Sequence, residues 1–114
     1  MMELFKFFIQ NKLIPIKYND LQIYICKGII YNALGYRIKF KKDGVILWIP
    51  KSLTKHFKII GIDKDLHIYF YEDKRFIYKG ILRKNDRMDL PSSGIVLELE
   101  KKLDEVIFLT LPIE

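Results

Sequence analysis

A single cysteine, Cys26, is all the thiol chemistry this sequence holds. One cysteine excludes an internal disulfide framework and a cysteine-built zinc site, and it suits a reducing compartment. Long apolar runs are missing too. The stretch from Leu4 to Ile9 is broken by Lys6, is too short to span a bilayer, and lacks the small-residue cleavage site of a signal peptide. The six glycines are scattered, and none builds the spaced cluster that lets a backbone approach phosphate, which argues against nucleotide hydrolysis. No Pro/Gly/Ser-rich linker, repeat or low-complexity tract divides the 114 residues, so 1–114 reads as a single domain. These absences lead to the expectation of a soluble, cytoplasmic protein with no membrane partner.

What the chain does have is segregated positive charge. Its net charge is +6, and residues 36–60 hold Arg37, Lys39, Lys41, Lys42, Lys51, Lys55 and Lys58 against Asp43 alone. That segment accounts for the whole excess. A second basic group, Lys74, Arg75, Lys79, Arg83, Lys84 and Arg87, follows the acidic patch Asp63, Asp65, Glu72 and Asp73. Segregation of this kind suggests a side that faces a polyanion. The competing reading is compositional: Lys-, Ile- and Tyr-rich usage also marks an AT-rich genome, a virus or a thermophile.

Periodicity points to a mainly β (α+β) fold. Residues 2–11, MELFKFFIQN, suit a short helix with an aromatic side seeking cover. Residues 21–31 alternate at Leu21, Ile23 and Ile25 and read as a strand broken at Gly28. In YRIKFKKDGVILWIP, strict alternation on either side of Asp43-Gly44 predicts a hairpin with a two-residue type I′ turn. After Pro50, Leu53 and Phe57 change the period to that of a short helix that Ser52 could cap. Residues 66–71 and 76–82 read as a second hairpin across EDKR, and IVLELE with VIFLTL as a third. The expectation is three β-hairpins forming a small barrel or sandwich, with one or two short helices.

An Asp43-Gly44 turn would set the register and put Lys39 opposite Trp48. One face would hold Tyr36, Ile38, Phe40, Val45, Leu47 and Ile49. The other would hold Arg37, Lys39, Lys41, Ile46 and Trp48. An indole among cations can stack a nucleobase, worth about 1–3 kcal/mol per base, while lysines hold phosphates. Equally, another element can cap Trp48, with a lysine stem lying over the ring. In the second hairpin Tyr69, Tyr71, Phe76 and Tyr78 share a face with His67, which suits a core, a protein interface or, more sharply, base stacking.

Catalytic arrangements are sparse. His56, His67 and Cys26 fall on different elements and give neither metal-ligand spacing nor a nucleophile with its base. A metal-dependent nuclease would have to use Asp63 or Asp65 with Glu72, Asp73 and Lys74, and those last three sit at an expected hairpin tip. The reading is therefore of a protein that is not an enzyme, with no catalytic residues, no metal and no cofactor.

The run KFKKDGVILWIPKSLTKHFKIIGIDKDLHIYFYEDKRFIYKGIL resembles the AbrB/MazE swapped-hairpin family of DNA-binding proteins over roughly residues 37–82. The resemblance implies a dimer whose chains interleave hairpins, with Arg37, Lys39, Lys41, Lys42 and Lys51 approaching DNA. The sequence departs from the family pattern at Val45, which follows Gly44 where a polar residue is usual. Taken together, the sequence predicts a small nucleic-acid-binding protein, a transcriptional regulator or accessory factor, forming a homodimer. Its binding residues would be Arg37, Lys39, Lys41, Lys42, Trp48, Lys51 and Lys55. The alternative is a protein-interaction module or inhibitor using Tyr69, Tyr71, Phe76 and Tyr78.

Overall fold

The structure, a computed structural model, describes residues 2–103 and residue 111. It is mainly β. Two short helices, α1 (Met2–Ile9) and α2 (Ile29–Leu34), accompany eight strands: β1 (Lys12–Tyr18), β2 (Leu21–Lys27), β3 (Gly44–Trp48), β4 (Lys58–Ile60), β5 (Leu66–Glu72), β6 (Arg75–Leu82), β7 (Arg87–Asp89) and β8 (Ile95–Leu99). Six of them form a mixed sheet in the order β1-β2-β3-β8-β5-β6, and β4 pairs with β7 separately. Among the described residues the large sheet stays open, with β1 and β6 as its edges. No helix there is long and apolar enough to cross a membrane.

The expected hairpin about Asp43-Gly44 does not form. Instead β2 and β3 run parallel, Ile23 beside Gly44 through Cys26 beside Leu47, and residues 28–43 are the crossover between them. A parallel pair requires a long connection, and this one carries α2 and a 3₁₀ turn at Gly35–Arg37. The physical reason is edge occupancy: β3 is bonded to β2 on one side and to β8 on the other, leaving residues 36–42 no free edge. Asp43 ties strands together rather than turning the chain. Its N–H donates to Gln22 O at 2.8 Å, and its Oδ2 accepts the Gln22 N–H at 2.7 Å. Gly44 is needed for close approach, since a Cβ there would come within 2.8 Å of the Glu98 carbonyl oxygen on β8.

The second hairpin forms as its sequence predicts, with Glu72 paired to Arg75, Tyr71 to Phe76 and Tyr69 to Tyr78. Its turn residues Asp73 and Lys74 have φ of 51° and 63°, both positive as a type I′ turn requires. The helix expected at residues 2–11 is α1, and the strand expected at 21–31 ends at Lys27. Gly28 stops it with φ 92°, and α2 follows. The helix after Pro50 is a 3₁₀ segment, Lys51–His56, and no side chain caps it, so Ser52 does not serve that purpose. The second arm of the third expected hairpin, residues 106–111, lies outside the described residues except for Leu111. Both edges of β8 are already taken by β3 and β5. The sequence missed β1 because of Pro15. An edge strand tolerates that proline, whose missing N–H can face away from the ladder.

Apolar side chains cover both faces of the sheet. One cluster draws Ile23, Ile25, Ile46, Tyr69, Phe76 and Leu97 together, with Trp48 against it; the other gathers Cys26, Tyr36, Val45, Leu66, Ile68 and Val96. β8 runs between the two, buried at every position. A strand buried on both faces reads as a nearly continuous apolar run, which IVLEL satisfies at every residue but Glu98.

Candidate nucleic-acid interface

The parallel pair defines the site. Lys27 ends β2 and Trp48 ends β3, and in sheets with parallel strands ligands gather outside the carboxyl ends. A cleft of about 630 Å³ opens there, between α1 and the strand ends. Lys6 of α1, Gln10 just after it, Lys12 at the start of β1, Lys27, Trp48, Lys51 and Ser93 all line it. Among the described residues Glu3 is the one carboxylate in that lining, against four lysines.

Local structure aims these groups. Antiparallel pairing sets Lys12 directly opposite Lys27. Gly28 lets the chain leave β2 beneath the end of α1, where a Cβ would strike Asn11 and the Gln10 carbonyl. Asn11 Oδ1 accepts the Ile30 N–H at 2.9 Å, joining the N-terminal segment to α2. Phe7 packs its ring edge-on against Phe57, 6.2 Å between centroids, and so anchors α1 over the sheet. Glu3 in the first turn and Lys6 in the last complement the helix dipole.

Trp48 is half-buried, and Lys27 holds its ammonium 3.8 Å from the ring centre. That cation–π contact covers one face of the indole, while the apolar cluster packs against the side chain as well. Of the two sequence readings for this residue, capping by a lysine is the one observed, with Lys27 in place of Lys39. The cleft therefore presents cations first and an aromatic wall second.

The other expected binding residues are dispersed. Lys51 lines the cleft; Lys55 is exposed on the following 3₁₀ segment. Arg37 stays at the end of α2, donating to Ala33 O at 3.0 Å and Leu34 O at 3.4 Å. Lys39 and Lys41 are exposed on the crossover, away from Trp48. Lys42 is half-buried, bonds to Ile38 O and Phe40 O, and stands 4.5 Å over the Tyr36 ring; burial lowers its pKa. Next to it the Tyr36 hydroxyl donates to Glu100. This hydrogen bond is the main cause holding the Glu100 carboxyl below its usual range, while burial, followed by the same bond, pushes the Tyr36 hydroxyl up. Lys6, Lys12 and Lys27 escaped sequence reasoning because nothing local marks three separate lysines as neighbours.

The aromatic face of the second hairpin is not an exposed surface. Tyr69 and Phe76 are buried in the core, and Tyr71 and Tyr78 pack against them. His67 Nδ1 lies 3.0 Å from Tyr78 OH, completing the shared face. Three carboxylates of the nuclease reading are engaged in ion pairs: Asp63 with Lys84 at 3.3 Å, Asp65 with Arg83 at 3.8 Å and Glu72 with Lys79 at 3.2 Å. Three members of the second basic group, Lys79, Arg83 and Lys84, are thus paired with the acidic patch. Among the described residues no three His, Cys, Asp or Glu side chains are grouped to hold a metal.

Fold and site together define a mainly β domain with a lysine-lined cleft at the end of a parallel strand pair. No family model, curated protein or solved structure matches this chain.

Proposed function

We propose that the protein binds nucleic acid, as a regulator or accessory factor, by holding phosphates in the lysine-lined cleft. One observation carries this reading: Lys6, Lys12, Lys27 and Lys51 line one cleft together with Trp48, and among the described residues Glu3 is the one carboxylate in that lining. Like charges brought into one cleft repel one another, and an arriving polyanion relieves that repulsion while releasing its own counterions. All four lysines come from one chain, so this mode does not depend on the swapped-hairpin dimer that the family resemblance implies. Because Lys27 covers the indole, phosphate contact leads, and a base stacks on Trp48 only by displacing that ammonium.

Trp48 is the chain's one tryptophan, so intrinsic fluorescence reports on this cleft directly. Titration with short single-stranded and duplex DNA and RNA at low salt is expected to change the emission saturably. Four neutralised phosphates give a slope of log affinity against log salt of about −3. An emission that stays flat with all four nucleic acids overturns the reading.

A second reading, a protein-interaction module, draws on a different surface from the aromatic hairpin. Phe5, Phe8 and Ile9 on α1 and Ile30 and Leu34 on α2 are all exposed, on two helices that touch, and exposed apolar side chains so placed suit an interaction site. Lys6 among them and the net charge of +6 favour an acidic partner protein. Phe5→Ser with Phe8→Ser would then abolish capture of that partner while leaving the fluorescence response to nucleic acid intact.

A further inference from the structure

A second cavity, of about 460 Å³, lies on the opposite side of Phe7 and Ile49, which line both spaces. Its volume falls within the roughly 300–1,000 Å³ typical of small-molecule sites. Phe57, Ile59, Ile62, Leu66 and Leu90 make its walls mostly apolar. One acid breaks that character. Glu98 lines the cavity from β8 and is 3% exposed. Its neighbours Ile95, Leu97 and Leu99 belong to one core cluster and Val96 to the other, so Glu98 occupies a position where packing alone would ask for an aliphatic residue.

The groups around that carboxylate narrow what it can receive. The Tyr36 backbone N–H donates to it, and the positive charge of Arg37 acts on it. Cys26 on β2 lies within its electrostatic reach. Arg37, His56, Lys58 and Arg87 also line the space, all exposed, so the basic groups sit toward solvent and the acid within. Lys58 is already paired with Asp89. An aliphatic acid would satisfy the outer cations but not Glu98, and an aliphatic amine would satisfy Glu98 but meet those cations on the way in. A ligand with a flat apolar body, N–H donors on its inner edge and an anionic group on its outer end satisfies both.

We propose that this cavity is a nucleotide site: a base inserts between the apolar walls, its N–H edge donates to Glu98, and its phosphate meets Arg37 and Arg87. Carboxylates recognise bases through amine donors, and a base outside a stack is read on its hydrogen-bonding edge. Guanine places two N–H donors side by side and suits a carboxylate best. Cytosine and adenine offer one amine, and uracil one imide N–H. The site shares the Phe7 and Ile49 wall with the lysine cleft but none of the charged groups proposed to hold ligand, so either can fail without the other.

The test is titration of the full chain with GMP, CMP, AMP and UMP, followed by amide chemical shifts and calorimetry, with Trp48 emission on oligonucleotide recorded in parallel. GMP is expected to bind best, to shift residues around Glu98 and Gly35, and to tighten as pH rises through 7 and Glu98 ionises. Glu98→Gln should weaken GMP by roughly 10- to 100-fold, the worth of a hydrogen bond to a charged group. Arg87→Glu and Ile60→Trp, both at exposed positions lining the space, should weaken it while leaving oligonucleotide binding at the cleft in place. No binding of any mononucleotide at millimolar concentration, equal binding of GMP and UMP, or folded Arg87→Glu and Ile60→Trp variants that bind GMP normally would each overturn the proposal.

Discussion

Asn32 pairs with the backbone of Trp48 as a neighbouring strand would. Its Oδ1 accepts the Trp48 N–H at 2.8 Å, and its Nδ2 donates to Trp48 O at 3.3 Å, Cys26 O at 3.1 Å and Gly28 O at 2.8 Å. One buried amide thus joins the ends of β2 and β3 where the ladder between them stops. It holds Lys27 and Trp48 at the mouth of the cleft. Asn32→Leu would strand a buried donor and up to three carbonyls, and should cost about 2–4 kcal/mol. Urea denaturation measures this, and a loss below about 1 kcal/mol would mean that the amide is not the staple the geometry describes.

The two candidate turns explain what the sequence could and could not disclose. Asp43-Gly44 is the favoured type I′ pair, yet its glycine is used for contact with β8; Asp73-Lys74 is a poorer pair, yet it makes the turn. Local pattern located β5, β6 and both of their faces because a hairpin is a local object. It also located which side of β3 each residue takes. It could not disclose that residues 36–42 lack an edge, since that depends on β8, about fifty residues further along. Tyr36 and Ile38 are buried as alternation suggests, but Phe40 is 55% exposed, because the segment is a crossover and not a strand. The lysine cleft was illegible for the same reason. It is assembled by topology from α1, β1, β2 and the segment after β3.

The type I′ turn gives a second prediction. Lys74 sits at φ 63°, where a side chain is strained and glycine is not. Asp73→Asn with Lys74→Gly should stabilise the protein by about 0.5–1 kcal/mol, the glycine's added unfolded-state entropy offsetting part of the relief. Gly44→Ala, although it alters the sequence pair that best resembles such a turn, should instead destabilise through overpacking against Leu99 and Glu98, by about 1–3 kcal/mol. Thermal unfolding of the two variants separates these roles, and a stabilised Gly44→Ala variant would contradict the close approach.

Burial pushes the Glu98 carboxyl up from 4.5 to about 7, with the Tyr36 N–H and Arg37 pulling the other way. The native state therefore binds this proton more tightly than the unfolded chain does. Below about pH 4.5 both states are protonated and the group is neutral in its effect. Between about 4.5 and 7 stability falls as pH rises, and above 7 the full penalty, of the order of 3 kcal/mol at most, is in place. Glu98→Gln removes the ionisation, so it should raise stability relative to the parent at pH 8 and by much less at pH 5. Equal differences at the two pH values in urea titrations would show that Glu98 does not retain its proton on folding.

Charge reversal tests which lysines meet the polyanion. If the basic side were the alternating face of the expected hairpin, Lys39→Glu with Lys41→Glu would abolish binding. In the structure these two residues stand on the crossover, and the converging cations are Lys6, Lys12, Lys27 and Lys51. Lys12→Glu with Lys51→Glu should then lower oligonucleotide affinity steeply and reduce the salt slope by roughly 0.7–0.9 for each phosphate no longer neutralised. Both positions are exposed, so folding should survive the exchange. Lys39→Glu with Lys41→Glu lowers the net charge by the same four units and serves as the control for long-range attraction. Such attraction is screened beyond a Debye length of about 8 Å at physiological salt, whereas direct ion pairs with phosphate persist. Equal reductions from the two pairs at about 150 mM salt, where that screening length applies, would place binding in the overall field of the protein and not in the cleft.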